Sequence, residues 1–214
     1  MKIIEQSHSI LSPATNDEWT TQAKLIESAG RTAYKSEDKI SEDSSEKFIK
    51  MISTRNHGAV LEFGNMVVKF ITDRGVSHEI VRHRIASFLQ ESTRYCNYGK
   101  DKFGKEITVI KPSTWDDWAE TARNNWTNAV RQSEKSYLAM IDDGVTPQQA
   151  RAVLPNSLKT EINVGGNFRE WRHIFQLRAI SRAAHPDIRA LMIPLYEECR
   201  TKLPCVFDMG DIQR

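Results

Sequence analysis

An α+β fold is what this sequence predicts, on three observations. Strand-like and helix-like segments follow one another irregularly, without a βαβ rhythm. No G-x-G-x-x-G turn follows any of the strand candidates, which argues against a Rossmann nucleotide fold. With 39% hydrophobic and 27% charged residues, a chain of 214 residues can bury a sizeable core as one domain over 1–214.

The elements follow in order. Lys2 to Leu11 alternates loosely, as a strand does. Asn16 and Asp17 mark a helix start, and Trp19, Ala23, Ile26, Ala29 and Ala33 follow at helical spacing. The polar run Ser36–Glu46 reads as an exposed loop before a helix at Lys47–Ser53. FGNMVVKFIT (63–72) is rich in β-branched and aromatic residues and predicts a strand. RGVSHEIVRHR (74–84) should be helical, and SFLQESTRYCNY (87–98) extended. ITVIKPS gives a strand ending at Pro112, and a long helix is expected from Ser113 to about Asp142, stopped by Gly144. Thr146–Pro147 opens a short helix with proline at its favoured first position. SLKTEINVGG (157–166) is a strand candidate, and helices Asn167–Ala184 and Pro186–Lys202 close the chain, split at His185–Pro186.

Thirty Lys and Arg against 28 Asp and Glu leave a net charge of only +2, so any anion site must be local. The apolar run in MKIIEQSHSILSP is short for a signal peptide, and no stretch of about 18 apolar residues is present to span a bilayer. Cys96, Cys199 and Cys205 form no C-x-x-C pair, which predicts reduced thiols in a cytoplasmic protein and no metal site.

The segment VRHRIASFLQESTRY (81–95) gathers Arg82, His83 and Arg84, then Ser92, Thr93 and Arg94. Cations closing a helix suit its dipole, which is the bland explanation. In an extended stretch, however, Gln90, Ser92 and Arg94 share one face, and amide, hydroxyl and guanidinium together suit a phosphorylated ligand with polar ring edges. Glu79 adds an acceptor one turn before Arg82. A second cluster lies nearer the C-terminus, where Arg151 sits among Ala150, Ala152, Val153, Leu154 and Pro155 and needs a carboxylate or a ligand if buried. Asn167 and Arg178, 11 residues apart, return to nearly one helical face around Trp171 and Ile174. Phe168, Phe175 and Ala179 are most simply core. His57, ahead of Gly58, and His173 are more often structural than catalytic in such positions.

These residues together resemble the flavin-dependent thymidylate synthases. That family is marked by R-H-R, seven residues, then S, which Arg82-His83-Arg84, the interval 85–91 and Ser92 fit. H-G-A-V-L-E (57–62), A-R-A-V-L-P (150–155) and N-F-R-E-W-R-H-I-F-Q-L-R (167–178) support it in the same order. The resemblance implies a mainly antiparallel twisted sheet flanked by helices, and a homotetramer with active sites shared between subunits. It implies FAD contacts at Arg82, His83, Arg84, Gln90, Asn167, Arg169 and His173, with His57 near the flavin face where folate enters. It places dUMP at Glu79, Arg82, Gln90, Glu91, Ser92, Thr93, Arg94 and Arg151, and gives Arg178 the pyrimidine itself. Two departures stand out: Ala59 where many members carry a hydroxyl that touches FAD, and Phe63 where a second histidine is frequent.

The implied reaction methylates dUMP to dTMP, with 5,10-methylenetetrahydrofolate as carbon donor and NADPH as reductant through FAD. Uracil C5 must be made electron-rich, either by a cysteine adding to the ring or by electrostatics. Cys96 lacks an evident partner to lower its pKa, whereas a guanidinium at Arg178 can stabilise charge on the pyrimidine edge at any working pH. Ser92 has no histidine placed to activate it, so a phosphate-binding hydroxyl is its expected role. One rival is a nucleic-acid-binding module stacking bases on Tyr95, Tyr98 and the tryptophans. Another is a homologue that keeps only the fold, against which Arg151 and Arg178 speak.

Overall fold

The computed structural model describes residues 1–55 and 57–213. Alternation of apolar side chains builds the sheet: in β3 (Asn65–Asp73), Met66, Val68, Phe70 and Thr72 are buried, and in β6 (Lys159–Asn167), Thr160, Ile162 and Val164 are. With β2 (Ser7–Ser12) and β4 (Ser87–Gln90) they make a four-stranded antiparallel sheet in the order β2-β3-β6-β4. The opening segment is two strands rather than one. β1 (Lys2–Ile4) leaves for a separate parallel pair with β5 (Thr108–Ile110), where the N-terminal ammonium is held by Glu106 and Glu134, both at 2.9 Å.

Contacts gather in two compact units, each assembled from separated stretches of chain. The first comprises 1–7, 70–80 and 89–162. Its core sets Tyr98, Ile107, Val109 and Leu158 against Val130 and Tyr137 of α4 (Glu120–Asp142), with α5 (Pro147–Ala150) alongside. Here α3 (Arg74–Ile80) stops well before Arg84. Helix α4 begins at Glu120, not Ser113, because Trp115, Trp118 and Trp126 draw the preceding residues into an aromatic cluster, with Trp115 and Trp126 ring centroids 5.2 Å apart.

The second unit comprises 8–69, 81–88 and 163–214. Helix α1 (Asn16–Tyr34) is capped by Thr15, whose hydroxyl accepts from Glu18 N at 3.3 Å. Trp19, Ala23 and Ile26 form its buried face, and α2 (Ser44–Thr54) contributes Phe48, Ile49 and Ile52. Helix α6 (Phe168–Phe175) buries Phe168, Trp171 and Phe175, and Trp171 Nε1 donates to Met66 O at 3.1 Å. Instead of running on to Ala184, α6 widens into a π turn at Gln176–Ile180, which Ser181 N closes on Gln176 O at 3.2 Å. Helix α7 (Pro186–Lys202) starts at the expected proline, and a short α8 (Pro204–Phe207) follows.

Candidate functional site

Three consecutive basic residues need not share an environment, and at 82–84 they do not. The chain leaves α3 at Ile80 and turns, with Ala86 N closing on His83 O at 3.0 Å. His83 points inward and is 5% exposed, while Arg82 and Arg84 remain exposed. The bland reading, cations at a helix end, therefore fails. Among the described residues neither arginine is paired with a carboxylate. A turn that presents two guanidinium groups around a buried imidazole suits an anionic cofactor.

The histidine is tied into the unit from three sides. Arg178 Nε donates to His83 Nε2 at 3.2 Å, Glu170 Oε1 lies 3.7 Å from His83 Nδ1, and the His173 ring meets it edge-on with centroids 5.9 Å apart. Burial, then Arg178 and His173, pull the His83 pKa from its usual range to about 4, so the ring is neutral near pH 7. The π turn explains how Arg178 arrives there. An inserted π turn breaks the regular phase of the helix, so the simple 11-residue count from Asn167 does not set the direction of Arg178. Such turns are frequent at functional sites.

The remaining candidates of this unit stand at its surface or at its helix ends. Asn167 is the N-cap of α6, accepting from Glu170 N at 2.9 Å. Arg169 is exposed, donates to Glu62 Oε1 at 2.6 Å and packs beside Gly58, where an added Cβ would come within 3.3 Å of its Nε. His57 is exposed and lies 2.7 Å from Tyr34 Oη through Nδ1, the two rings stacked. Ala59 and Phe63, the two departures, are both exposed, and Phe63 keeps 54% of its surface in solvent. A cavity of about 420 Å³ bounded by Lys47, Lys50, Arg172 and Cys205 also belongs to this unit and holds none of the candidates.

The first unit holds the rest. The extended stretch ends at Gln90, so Gln90, Ser92 and Arg94 do not share a period-two face. Ser92 is the reason: its carbonyl accepts from Tyr95 N and Cys96 N at 3.1 and 3.0 Å, and its hydroxyl accepts from Arg94 N at 3.3 Å. The resulting turn leaves Arg94 exposed. Gln90 is pinned instead, donating through Nε2 to Ser77 Oγ at 2.9 Å and Thr160 Oγ1 at 3.1 Å. Glu91 accepts from Tyr98 Oη and Lys159 Nζ, both at 3.0 Å. Arg151 donates to the buried Thr93 at 3.2 Å and is otherwise exposed, while Glu79 is half-buried on α3. Tyr98 is buried, at 6% exposure, which removes it as a stacking platform for bases.

None of the three thiols is activated. Burial pushes Cys96 up, with Glu91 adding to it; burial raises Cys205 to about 11, and Cys199 well above the thiol range. Among the described residues no group of three metal-ligating side chains occurs, and no helix is long and apolar enough to cross a membrane. Sequence reasoning missed Glu170, whose spacing after Asn167 signals only a helix cap, and Lys159, Ser77 and Thr160, which carried no signal at all.

Residues 16–205 match the family model described as thymidylate synthase complementing protein. The flavin-dependent thymidylate synthase of Geobacter sulfurreducens is 34% identical over 172 residues, covering 79% of this chain and 71% of that protein. Its counterpart from Corynebacterium glutamicum is 32% identical over 227 residues, covering 96% and 87%. A UMP/dUMP methylase, PolB from Streptomyces cacaoi, solved with 5-Br dUMP, shares the fold with a TM-score of 0.78 over 97% of this chain and 96% of that one, at 20% identity. The molecule is an enzyme, a methyltransferase. More narrowly, the chain belongs to the flavin-dependent thymidylate synthase family.

Proposed function

We propose that residues 1–214 act as one flavin-dependent thymidylate synthase domain. It converts dUMP, methylenetetrahydrofolate, NADPH and a proton to dTMP, tetrahydrofolate and NADP⁺. The observation that carries the reading is the contact of Arg178 Nε with His83 Nε2 at 3.2 Å, which anchors a guanidinium to the R-H-R turn. Kinship supports it, since the relatives bear this name and the similar methylase was solved with a dUMP analogue.

FAD, when bound, supplies the redox chemistry; the residues that hold it are Arg82, His83, Arg84, Gln90, Asn167, Arg169, His173 and His57. The exposed guanidinium groups of Arg82 and Arg84 would suit its pyrophosphate. The nucleotide is held by Glu79, Arg82, Gln90, Glu91, Ser92, Thr93, Arg94, Arg151 and Arg178. Arg94 takes its phosphate, and Arg178 stabilises negative charge on the uracil edge so that C5 becomes nucleophilic without a bond to the protein. The raised thiols support a mechanism free of an enzyme nucleophile. The enzyme works as a cytoplasmic homotetramer with active sites at subunit interfaces.

The test is reconstitution. Protein stripped of flavin should make no dTMP from dUMP, methylenetetrahydrofolate and NADPH, and should regain activity when FAD is returned. Full methylation by the stripped protein would reject the reading.

A further inference from the structure

Glu170, His83 and Arg178 lie in a short polar line within the second unit, and Glu170 alone of the three has no part in the proposed chemistry. Arg178 Nε is 3.2 Å from His83 Nε2, and His83 Nδ1 is 3.7 Å from Glu170 Oε1. A guanidinium Nε carries a hydrogen and can only donate, so His83 Nε2 must be the accepting nitrogen. A neutral imidazole that accepts at Nε2 bears its proton on Nδ1. That proton faces the Glu170 carboxylate at 3.7 Å, beyond hydrogen-bond length but within reach of a charge–dipole attraction that burial strengthens. Water is scarce here: His83 is 5% exposed and Glu170 7%. The carboxylate also springs from a fixed point, because Asn167 Oδ1 accepts from Glu170 N at 2.9 Å.

We infer that Glu170 is a positioning residue for Arg178, selecting the Nδ1–H tautomer of His83 so that Nε2 stays free to hold the guanidinium in one orientation. The inference rests on the reading of Arg178 as the group that activates the pyrimidine. Without the carboxylate, the proton can occupy Nε2, where two hydrogens would oppose each other across 3.2 Å and drive Arg178 aside.

Nitrogen NMR of FAD-loaded protein carrying ¹⁵N-labelled histidine tests this directly, alongside turnover. Wild-type His83 should show a protonated Nδ1 and a bare Nε2. Glu170→Leu should shift the ring toward Nε2–H and lower kcat roughly 10–100-fold with FAD content unchanged. Glu170→Gln, which keeps an acceptor oxygen, should fall between the two in both readouts. If the leucine variant does not fold, the glutamine variant carries the test by the same nitrogen signals. Unchanged His83 signals in the folded variant overturn the inference, whatever happens to turnover, and so does a wild-type ring already protonated on Nε2. These outcomes are separable from failure of the proposed function, since undiminished turnover in Arg178→Ala would remove the role of Arg178 and leave the tautomer measurement intact.

Discussion

Burying His83 as a neutral ring has a measurable consequence for stability. Its folded pKa, about 4, lies below the ordinary histidine value, so the unfolded chain binds the extra proton first as pH falls. Stability is therefore undiminished above about pH 6.5 and is lost progressively toward pH 4, by on the order of 3 kcal/mol. Urea unfolding of wild type and His83→Asn should show a difference in free energy that rises with pH across that window and is flat above it. A difference independent of pH would contradict the burial argument. Arg94, exposed on the turn after β4, belongs to a different test. Arg94→Ala should raise the dUMP requirement about tenfold to a hundredfold, the cost of a charge-assisted phosphate contact worth about 1.5–3 kcal/mol. Unchanged dUMP affinity would mean the phosphate lies elsewhere. Cys96→Ser should keep most of its turnover, because the thiol is held in its protonated form; loss of dTMP synthesis in a folded Cys96→Ser protein would point to covalent catalysis.

At the scale of elements, tight packing fixes the approach of α6 to the start of β3. Phe168 N donates to Gly64 O at 2.8 Å, and a Cβ on Gly64 would sit 2.4 Å from the Phe168 ring and 2.7 Å from Ile26. Gly64→Ala should cost about 1–3 kcal/mol, read as a lowered urea midpoint with an unchanged slope. A wild-type midpoint would show that the ring can give way. Elements whose side chains announce their own period were legible in sequence, as α1, β3, β6 and α7 were, to within a few residues. What escaped were features set by a few local hydrogen bonds. Helix α3 ended before the inward turn of His83, bonds to the Ser92 carbonyl and hydroxyl coiled an expected extended strand, and the π turn broke the helical phase around Arg178. Periodicity averages over a window and cannot register one such bond. The candidate site was legible only where charge and motif marked it, at Arg82–Arg84 and Arg178, whereas Glu170 was hidden behind an ordinary capping pattern.

For the whole molecule, a net charge of +2 means that any anion site must draw on local guanidinium groups rather than on the overall field. On the proposed homotetrameric reading, native mass measurement should give four times the 24.5 kDa chain. A stable monomer that makes dTMP would contradict shared active sites. The central claim is that a fixed guanidinium, rather than a covalent bond to the protein, activates the pyrimidine. Its most direct test is dTMP synthesis by the FAD-loaded Arg178→Ala variant supplied with dUMP, methylenetetrahydrofolate and NADPH. The account predicts retained FAD and no detectable dTMP; turnover at the wild-type rate would contradict it.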